Sequence, residues 1–444
     1  MLTRRTCERA GVISSKISSL FIFRSSPWNR TCSRPALVHT LITPSRVVRD
    51  VSVLLVTPLD ALDSSLRPEK GARDMGASYS RAKYDKTSFW KDYLANHIPH
   101  DAAAGKTVAV TGATANGLGI WLAKHAALLG AKRVVLLNRA SPRSAAAEEE
   151  VRAFARDHGS ATEIATVECD LLSFASVSRG AAELTKLCAK HDDGCLDVLC
   201  LNAGTMAAPD EVTEDGYNRE AQVNVLAQAL LLKETFPLLA RAAATRGEAR
   251  VVQHSSGARM IPKRGELVEA FFSKTSSAKP LPAPFAGDAF GSGMFAGGPA
   301  WQRYGQTKLA NAMLSELFRE RLAGKSSKVK ALVASPGLAA TELQVTTGET
   351  FRNMKAWETN LIFKLAGQGA RDGSLPLTRA CFHPDAASGD FYEPKHVTAY
   401  GPPVAIASGG TFKNPKAEKA VISDPETKDM MWRVLAEACG GEIF

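Results

Sequence analysis

The sequence predicts an α/β fold, a doubly wound and mostly parallel sheet in a single domain behind an unfolded N-terminal extension. Three observations predict it. From residue 105 onward, short β-branched apolar runs alternate with amphipathic helical stretches, the pattern of successive βαβ units with right-handed crossovers. The first of these runs ends in a glycine-rich turn directly before a helix. The composition is globular: of 444 residues, 45% are hydrophobic and 23% charged, which excludes collagen, coiled coil and wholesale disorder. The expected boundaries are 1–100 for the extension and 101–444 for the domain, with an insertion at 263–300.

The elements follow in order. Residues 106–111 read as the first strand and 120–129 as the first helix. Residues 133–137 are the second strand and 144–158 a charged helix. Strands three to six fall at 165–169, 196–201, 250–253 and 329–334, separated by helical periods. The rhythm breaks at 263–300, where Pro280, Pro282, Pro284, Gly287, Gly291, Gly293, Gly297, Gly298 and Pro299 crowd together. A loop of that length inside a compact domain is a functional lid or disordered. Its phenylalanines, Phe271, Phe272, Phe285, Phe290 and Phe295, suit either an apolar substrate site or packing onto the domain. Residues 341–365 read as a mobile substrate loop, and 390–395 with 400–403 as a closing C-terminal segment. No apolar run reaches the ~18 residues of a membrane-spanning helix, which leaves only peripheral membrane contact open.

The net charge of +10 is unevenly spread. Residues 1–74 carry twelve Lys and Arg against six Asp and Glu, a net of +6; the remainder carries +4. With no basic stripe interleaved with aromatics, nucleic acid is not an expected partner. Up to Arg49 there are nine basic residues, one acid and many serines, the composition of an organelle transit peptide for a plastid or mitochondrion. A competing reading starts translation at Met75: Met75, Gly76 and Ser80 fit an N-myristoylation signal, which places the protein in the cytoplasm or at a membrane surface. The eight cysteines are scattered, with no CxxC, so reduced thiols are expected, without disulfide or metal site.

The turn after the first strand reads Thr111-Gly112-Ala113-Thr114-Ala115-Asn116-Gly117-Leu118-Gly119. Glycines at a strand–helix junction let the backbone approach a pyrophosphate, and the helix presents free N–H groups to it. That makes the sheet one of the dinucleotide-binding Rossmann type. NAD-specific folds place Asp or Glu at the end of the second strand, against the ribose hydroxyls. Here the strand ends Leu137-Asn138-Arg139. The acid is missing and Arg139 can pair with a 2′-phosphate, so NADP(H) is expected over NAD(H).

Further on, Asn202-Ala203-Gly204 closes the fourth strand, Asn224 lies on the next helix, Ser255 and Ser256 follow the fifth strand, and Tyr304 and Lys308 open a helical run. Tyr304 and Lys308, at i and i+4, share a helix face. A phenol has a pKa near 10, and a neighbouring ammonium brings it toward operating pH. A serine hydroxyl can hold the substrate oxygen while the phenol donates its proton.

These motifs, in this order, strongly resemble the short-chain dehydrogenase/reductase family, from about residue 105 to 337. The resemblance implies that Tyr304 is the acid/base, Lys308 its partner and the ribose anchor, Ser256 the substrate-orienting hydroxyl, and Asn224 the member completing a proton relay. It puts Asp170, with Leu171, beside the adenine. It puts Pro336, Gly337 and Thr341 at the nicotinamide. The string from Tyr304 to Asn311 and the pair Asn138-Arg139 look most like the retinol dehydrogenase and WW-domain oxidoreductase branch, with protochlorophyllide reductases as neighbours. Three departures stand out: four residues rather than three between Gly112 and Gly117, Leu201 before Asn202, and 48 positions from Ser256 to Tyr304. The extra residues of the last interval are the insertion, expected near the substrate mouth.

The expected function is NADP(H)-dependent interconversion of a carbonyl and an alcohol on a retinoid-, steroid- or lipid-like substrate, compatible with a homodimer. The alternatives are a protochlorophyllide-reductase-like enzyme and a nucleotide-sensing or scaffold protein of little activity. Ser/His/Asp hydrolysis fares worse, since it would need a nucleophile elbow of the GxSxG type, which the sequence lacks. His97 and His100 read as surface histidines and His254 as a packed one.

Overall fold

The first strand explains the rest of the sheet. β1 (Thr107–Thr111) is Thr-Val-Ala-Val-Thr and is buried throughout, as a parallel strand covered on both faces must be. Its successive side chains still divide between two cores. Val108 and Val110 join one, Ala109 the other, because Cβ atoms alternate across a strand. In the computed structural model the residues described are 88–262, 266–276, 281–289, 297–325, 327–340, 367–396, 399–406 and 416–444.

In chain order these contain α1 (Trp90–His97), β1, α2 (Leu118–Leu128), β2 (Arg133–Asn138), α3 (Pro142–Asp157), β3 (Glu163–Glu168), α4 (Phe174–His191) and β4 (Val198–Leu201). Next come α5 (Arg219–Arg246), β5 (Ala249–His254), a 3-10 turn (Gly257–Met260), α6 (Glu269–Phe272), α7 (Pro299–Gly324) and β6 (Val329–Ala334). The chain closes with β7 (Ala339–Ala340), β8 (Gln368–Gly369), α8 (Ala370–Gly373), α9 (Leu375–Phe382), β9 (Phe391–His396), β10 (Tyr400–Ala405), α10 (Lys416–Ser423) and α11 (Pro425–Ala438).

The main sheet runs β10-β9-β6-β5-β4-β1-β2-β3. Every pairing is parallel except β10 with β9. This is the predicted doubly wound sheet. α2, α3 and α9 cover one face, while α4, α5, α7 and α11 cover the other. The chain order reverses between β1 and β4, and a crevice opens there at the strand ends. Among the described residues one helix, α5, is long and apolar enough to cross a membrane, and 72% of its apolar window is buried inside the domain.

Two expectations need correction. Residues 1–100 are not unfolded throughout: α1 lies within that range and belongs to the domain. Trp90, Tyr93 and Leu94 are buried in the α2/α3/α9 core. Ser88 Oγ and Phe89 N donate to Asp372 Oδ1 at 2.9 and 3.1 Å. The spacing i, i+3, i+4 gives this short helix an apolar stripe that the basic, serine-rich composition upstream obscures. The closing segment is also more than a cap. β9 extends the sheet by pairing Phe391 with Val333 and Tyr392 with Ala334, and β10 turns back along it.

In the insertion, Phe271, Phe272 and Phe285 are buried in the α4/α5/α7 core, so these rings pack the segment onto the domain. Phe290 and Phe295 lie outside the described residues. So do Thr341, the 341–365 loop, the Met75–Gly76 signal and the transit-like segment.

Replacing Trp90 by Ala removes the largest side chain of α1 from the core and costs about 3 kcal/mol. Urea denaturation should show a correspondingly lower midpoint. An unchanged midpoint would mean that α1 lies outside the cooperative unit.

Candidate active site

The glycine turn is shaped by contact with β4's end. Gly112 has φ +67°, and a Cβ there would stand 2.8 Å from Ala203 Cα. A Cβ on Gly119 would stand 2.6 Å from Asn202 Nδ2 and 3.0 Å from Ala113 Cα. Only glycine permits this approach. Asn202 secures it, Nδ2 donating to Thr111 O at 2.9 Å and Gly112 O at 3.3 Å. Ala203 N donates to Thr111 Oγ1 at 3.0 Å. The additional residue in the turn is absorbed at Asn116, which adopts φ +66°. Gly117 N then closes back on Thr114 O at 3.0 Å. α2 starts at Leu118 with no side-chain cap, so its first N–H groups face the crevice as an anion site.

The crevice is a cleft of about 520 Å³. Gly112, Gly117 and Leu118 line it from the turn, Asn138 and Arg139 from the end of β2, Asp170 and Leu171 from the end of β3. Asn138 Nδ2 is committed to Ala113 O at 2.9 Å, which leaves the side chain of Arg139 as the residue at this strand end with charge to offer. Arg143 joins it on the lining.

The opposite end is built where α7 meets β5. Lys308 Nζ donates to His254 O at 3.0 Å, Asn311 Nδ2 to the same oxygen at 3.0 Å, and Ser255 Oγ to Lys308 O at 2.7 Å. Lys308 Nζ lies 5.6 Å from the centroid of the Tyr304 ring. Ser256 caps the 3-10 turn through Ala258 N at 3.3 Å, and its hydroxyl lies near enough to the Tyr304 phenol to act on its proton affinity. Asn224 sits in a π-helical turn, Gln222–Leu226, at the head of α5. Its Nδ2 donates to Thr205 O at 2.9 Å and Thr307 Oγ1 at 3.0 Å, and its Oδ1 accepts from Thr205 N at 2.7 Å. The wider π turn re-aims this one side chain out of the α register.

The electrostatics are those of a dry site. Burial raises the Tyr304 phenol above its usual value, opposed by the Ser256 hydroxyl and reinforced by the negative charge of Glu220. Burial lowers Lys308 to about 8, with Glu220 pulling the other way. Burial and the nearby Lys308 ammonium push His254 down to about 3, so its neutral ring packs against Asn202, Nδ1 lying 3.0 Å from Oδ1.

Of the residues singled out from sequence, Gly204, Ser256, Tyr304, Lys308, Pro336 and Gly337 line the same cleft as the turn and the ends of β2 and β3. Gly119 and Asn224 stand behind its wall: Gly119 acts by its lack of a side chain, Asn224 as a fully buried amide. Sequence reasoning missed Glu220 and Arg303, both fully buried and 3.7 Å apart. Neither stands out in sequence, because both helices carry other charges, Arg219 and Lys233 on α5 and Lys308 and Glu316 on α7. It also missed the apolar group around the phenol: Met206, Ala207, Ala258, Trp301 and, partly buried, Ile261.

The sequence model of the short chain dehydrogenases matches residues 106–267. The chain is 37% identical over 137 residues to a short chain dehydrogenase of Aspergillus sclerotiorum, a match covering 31% of this chain and 35% of that protein. It is 29% identical over 266 residues to the polyprenol dehydrogenase of Mus musculus, covering 60% and 69%. The chain thus spans about a third of the first relative and about two thirds of the second. In fold it is similar to an uncharacterized protein from Mycobacterium paratuberculosis, with a TM-score of 0.53 at 22% identity over 79% of this chain and 98% of that one.

A methyl group at position 119 has nowhere to go without moving Asn202 off the turn. Gly119→Ala should weaken dinucleotide binding by about tenfold or more, roughly 1.4 kcal/mol, while the melting transition stays cooperative. Calorimetric titration measures it, and wild-type affinity would contradict the steric account.

Proposed function

We propose that this chain, whose residues 106–267 match the short chain dehydrogenase model, is a short-chain dehydrogenase/reductase that interconverts a carbonyl and an alcohol on an apolar substrate, using NADP(H), with Tyr304 as acid/base. One observation carries the reading: Tyr304 and Lys308 stand one turn apart on α7 and line the cleft together with Ser256. The cleft fits a dinucleotide. It runs from an uncapped helix N-terminus and Arg139 to the Tyr–Lys pair, and the close approach at Gly112 leaves backbone rather than side chain facing it.

A bound nicotinamide supplies or accepts the hydride. Ser256 holds the substrate oxygen in place, and Tyr304 donates a proton to that oxygen in reduction and takes it back in oxidation. Burial alone disfavours the phenolate, so the nearby Lys308 ammonium and the Ser256 hydroxyl must supply what water cannot. Asn224 braces Thr205 and Thr307 on either side of this group, and its place in the motif supports a role in completing the proton relay.

Two observations support an apolar substrate. The walls beside Tyr304 are Met206, Ala258 and Trp301, and the mouse relative is named for a polyprenol. The string from Tyr304 to Asn311 supports a retinol dehydrogenase-like branch. The absent acid at the end of β2 and the presence of Arg139 support NADP(H) over NAD(H).

A panel of retinol, a hydroxysteroid, geraniol and decanol, with the matching carbonyls and both cofactors, tests the substrate class; turnover only with polar polyols would overturn it. Tyr304→Phe should abolish turnover and leave NADP(H) binding within about twofold, and retained turnover removes the phenol from the mechanism. Arg139→Ala should weaken NADP(H) about tenfold, a loss of roughly 1.4 kcal/mol, and spare NAD(H). If the unaltered protein binds NAD(H) more tightly, the cofactor assignment is wrong.

A further inference from the structure

Next to the acid/base pair lies a second, buried pair of charges. Arg303 immediately precedes Tyr304 on α7, and Glu220 lies at the start of α5, one turn ahead of Asn224. Both side chains are fully buried, with Arg303 Nε 3.7 Å from Glu220 Oε2. The guanidinium is fixed from three directions. Nη1 donates to Phe285 O at 2.7 Å and Gly287 O at 2.6 Å, both in the insertion, and Nη2 donates to Ala208 O at 2.7 Å, in the segment after β4.

Asp210 completes the joint. Its Oδ2 accepts from Gly287 N at 2.7 Å, its Oδ1 accepts from Asn218 Nδ2 at 3.1 Å at the cap of α5, and its N–H donates to Asp288 Oδ1 at 2.6 Å. The insertion, the head of α5 and the residue before the phenol are therefore one connected structure. Burying an ion pair costs several kcal/mol per ion in desolvation, so such a pair is weak evidence of added stability.

We propose that Glu220 and Arg303 are positioning residues: Arg303 locks the insertion to the catalytic helix and fixes Glu220 where its negative charge acts on Tyr304 and Lys308. This rests on Tyr304 being the acid/base. Arg303 stands 3.7 Å from Glu220, and Lys308 and Tyr304 on α7 lie within the reach of its charge. Asp210 and Asp288 lie beyond Arg303, at 4.0 and 3.6 Å from its guanidinium. On α5 itself, neighbouring Arg219 is paired with Glu211.

The sign follows from charge. Burial pushes Glu220 up to about 8, while Arg303 and Lys308 pull it down. Once ionised, it favours the neutral phenol and the ammonium, holding both protons to higher pH. Removing it lets both groups deprotonate at lower pH.

The experiment is the pH profile of kcat for oxidation with NADP+, on whichever of the four alcohols named above turns over fastest. Glu220→Gln should lower the midpoint of the rising limb by about 0.5 unit or more, with NADP(H) affinity unchanged. Glu220→Gln/Arg303→Met, which removes both members of the pair, should shift it less, because the lost guanidinium charge acts in the opposite sense. A midpoint unchanged in Glu220→Gln that still binds NADP(H) overturns the proposal. So does loss of NADP(H) binding in both variants, since the pair would then serve the fold alone. Turnover retained by Tyr304→Phe would instead refute the acid/base reading on which the proposal stands.

Discussion

The site depends on the joint between α7 and the end of β5. Three hydrogen bonds meet there: Lys308 Nζ and Asn311 Nδ2 share His254 O, and Ser255 Oγ returns to Lys308 O. A helix of 26 residues could pivot against a sheet. This one is pinned at the strand's carboxyl end, where the parallel ladder leaves carbonyls available. The pin sets the distance between Ser256, two residues beyond the strand, and Tyr304, one turn before Lys308 on the helix. It also turns Lys308 inward, into the dry interior that shifts its proton affinity.

That interior imposes a conflict. Burial raises the phenol and lowers the ammonium, so each group alone resists the charged form that proton transfer needs. The Lys308 ammonium, 5.6 Å from the centroid of the Tyr304 ring, works against that resistance, because an opposite charge nearby favours the ionised form. The same logic explains the glycine turn at the other end. Packing against Asn202 and Ala203 removes side chains from one wall, so that backbone N–H groups face the ligand.

The sheet was legible because its signal is local. β1 to β6 are short runs of Val, Leu, Ile and Ala between helical periods, and each can be found in a window of a dozen residues. The spacing of Tyr304 and Lys308 has the same quality. β9 was not legible: Phe-Tyr-Glu-Pro-Lys-His carries a proline and four charged or ionisable residues, and it becomes a strand by pairing with Val333 and Ala334, far away in sequence. α1 was hidden by its neighbours, since the composition of the first hundred residues outweighed eight periodic ones. Glu220 and Arg303 were hidden for a different reason. Each reads as a solvated charge on its own helix, and only the fold reveals that the two meet in the core. Asn224 was found by its place in a motif, but the π turn that aims it leaves no local trace.

A second buried ion pair sharpens the meaning of the first. Arg259, in the 3-10 turn after Ser256, donates to Glu393 at 2.5 and 3.1 Å and to Ser256 O at 3.2 Å. Glu393 belongs to β9, the strand that local pattern did not disclose. Ser256 is thus anchored to the C-terminal part of the chain, as Tyr304 is anchored by Arg303 to the insertion. Apolar residues would fill both places at lower desolvation cost, but an apolar contact has no preferred direction and tolerates slippage. An arginine held by two or three oxygens at fixed angles does not. The segments outside the first six strands therefore bear on the cleft through geometry: each holds one of the two hydroxyls, Ser256 and Tyr304, that line it.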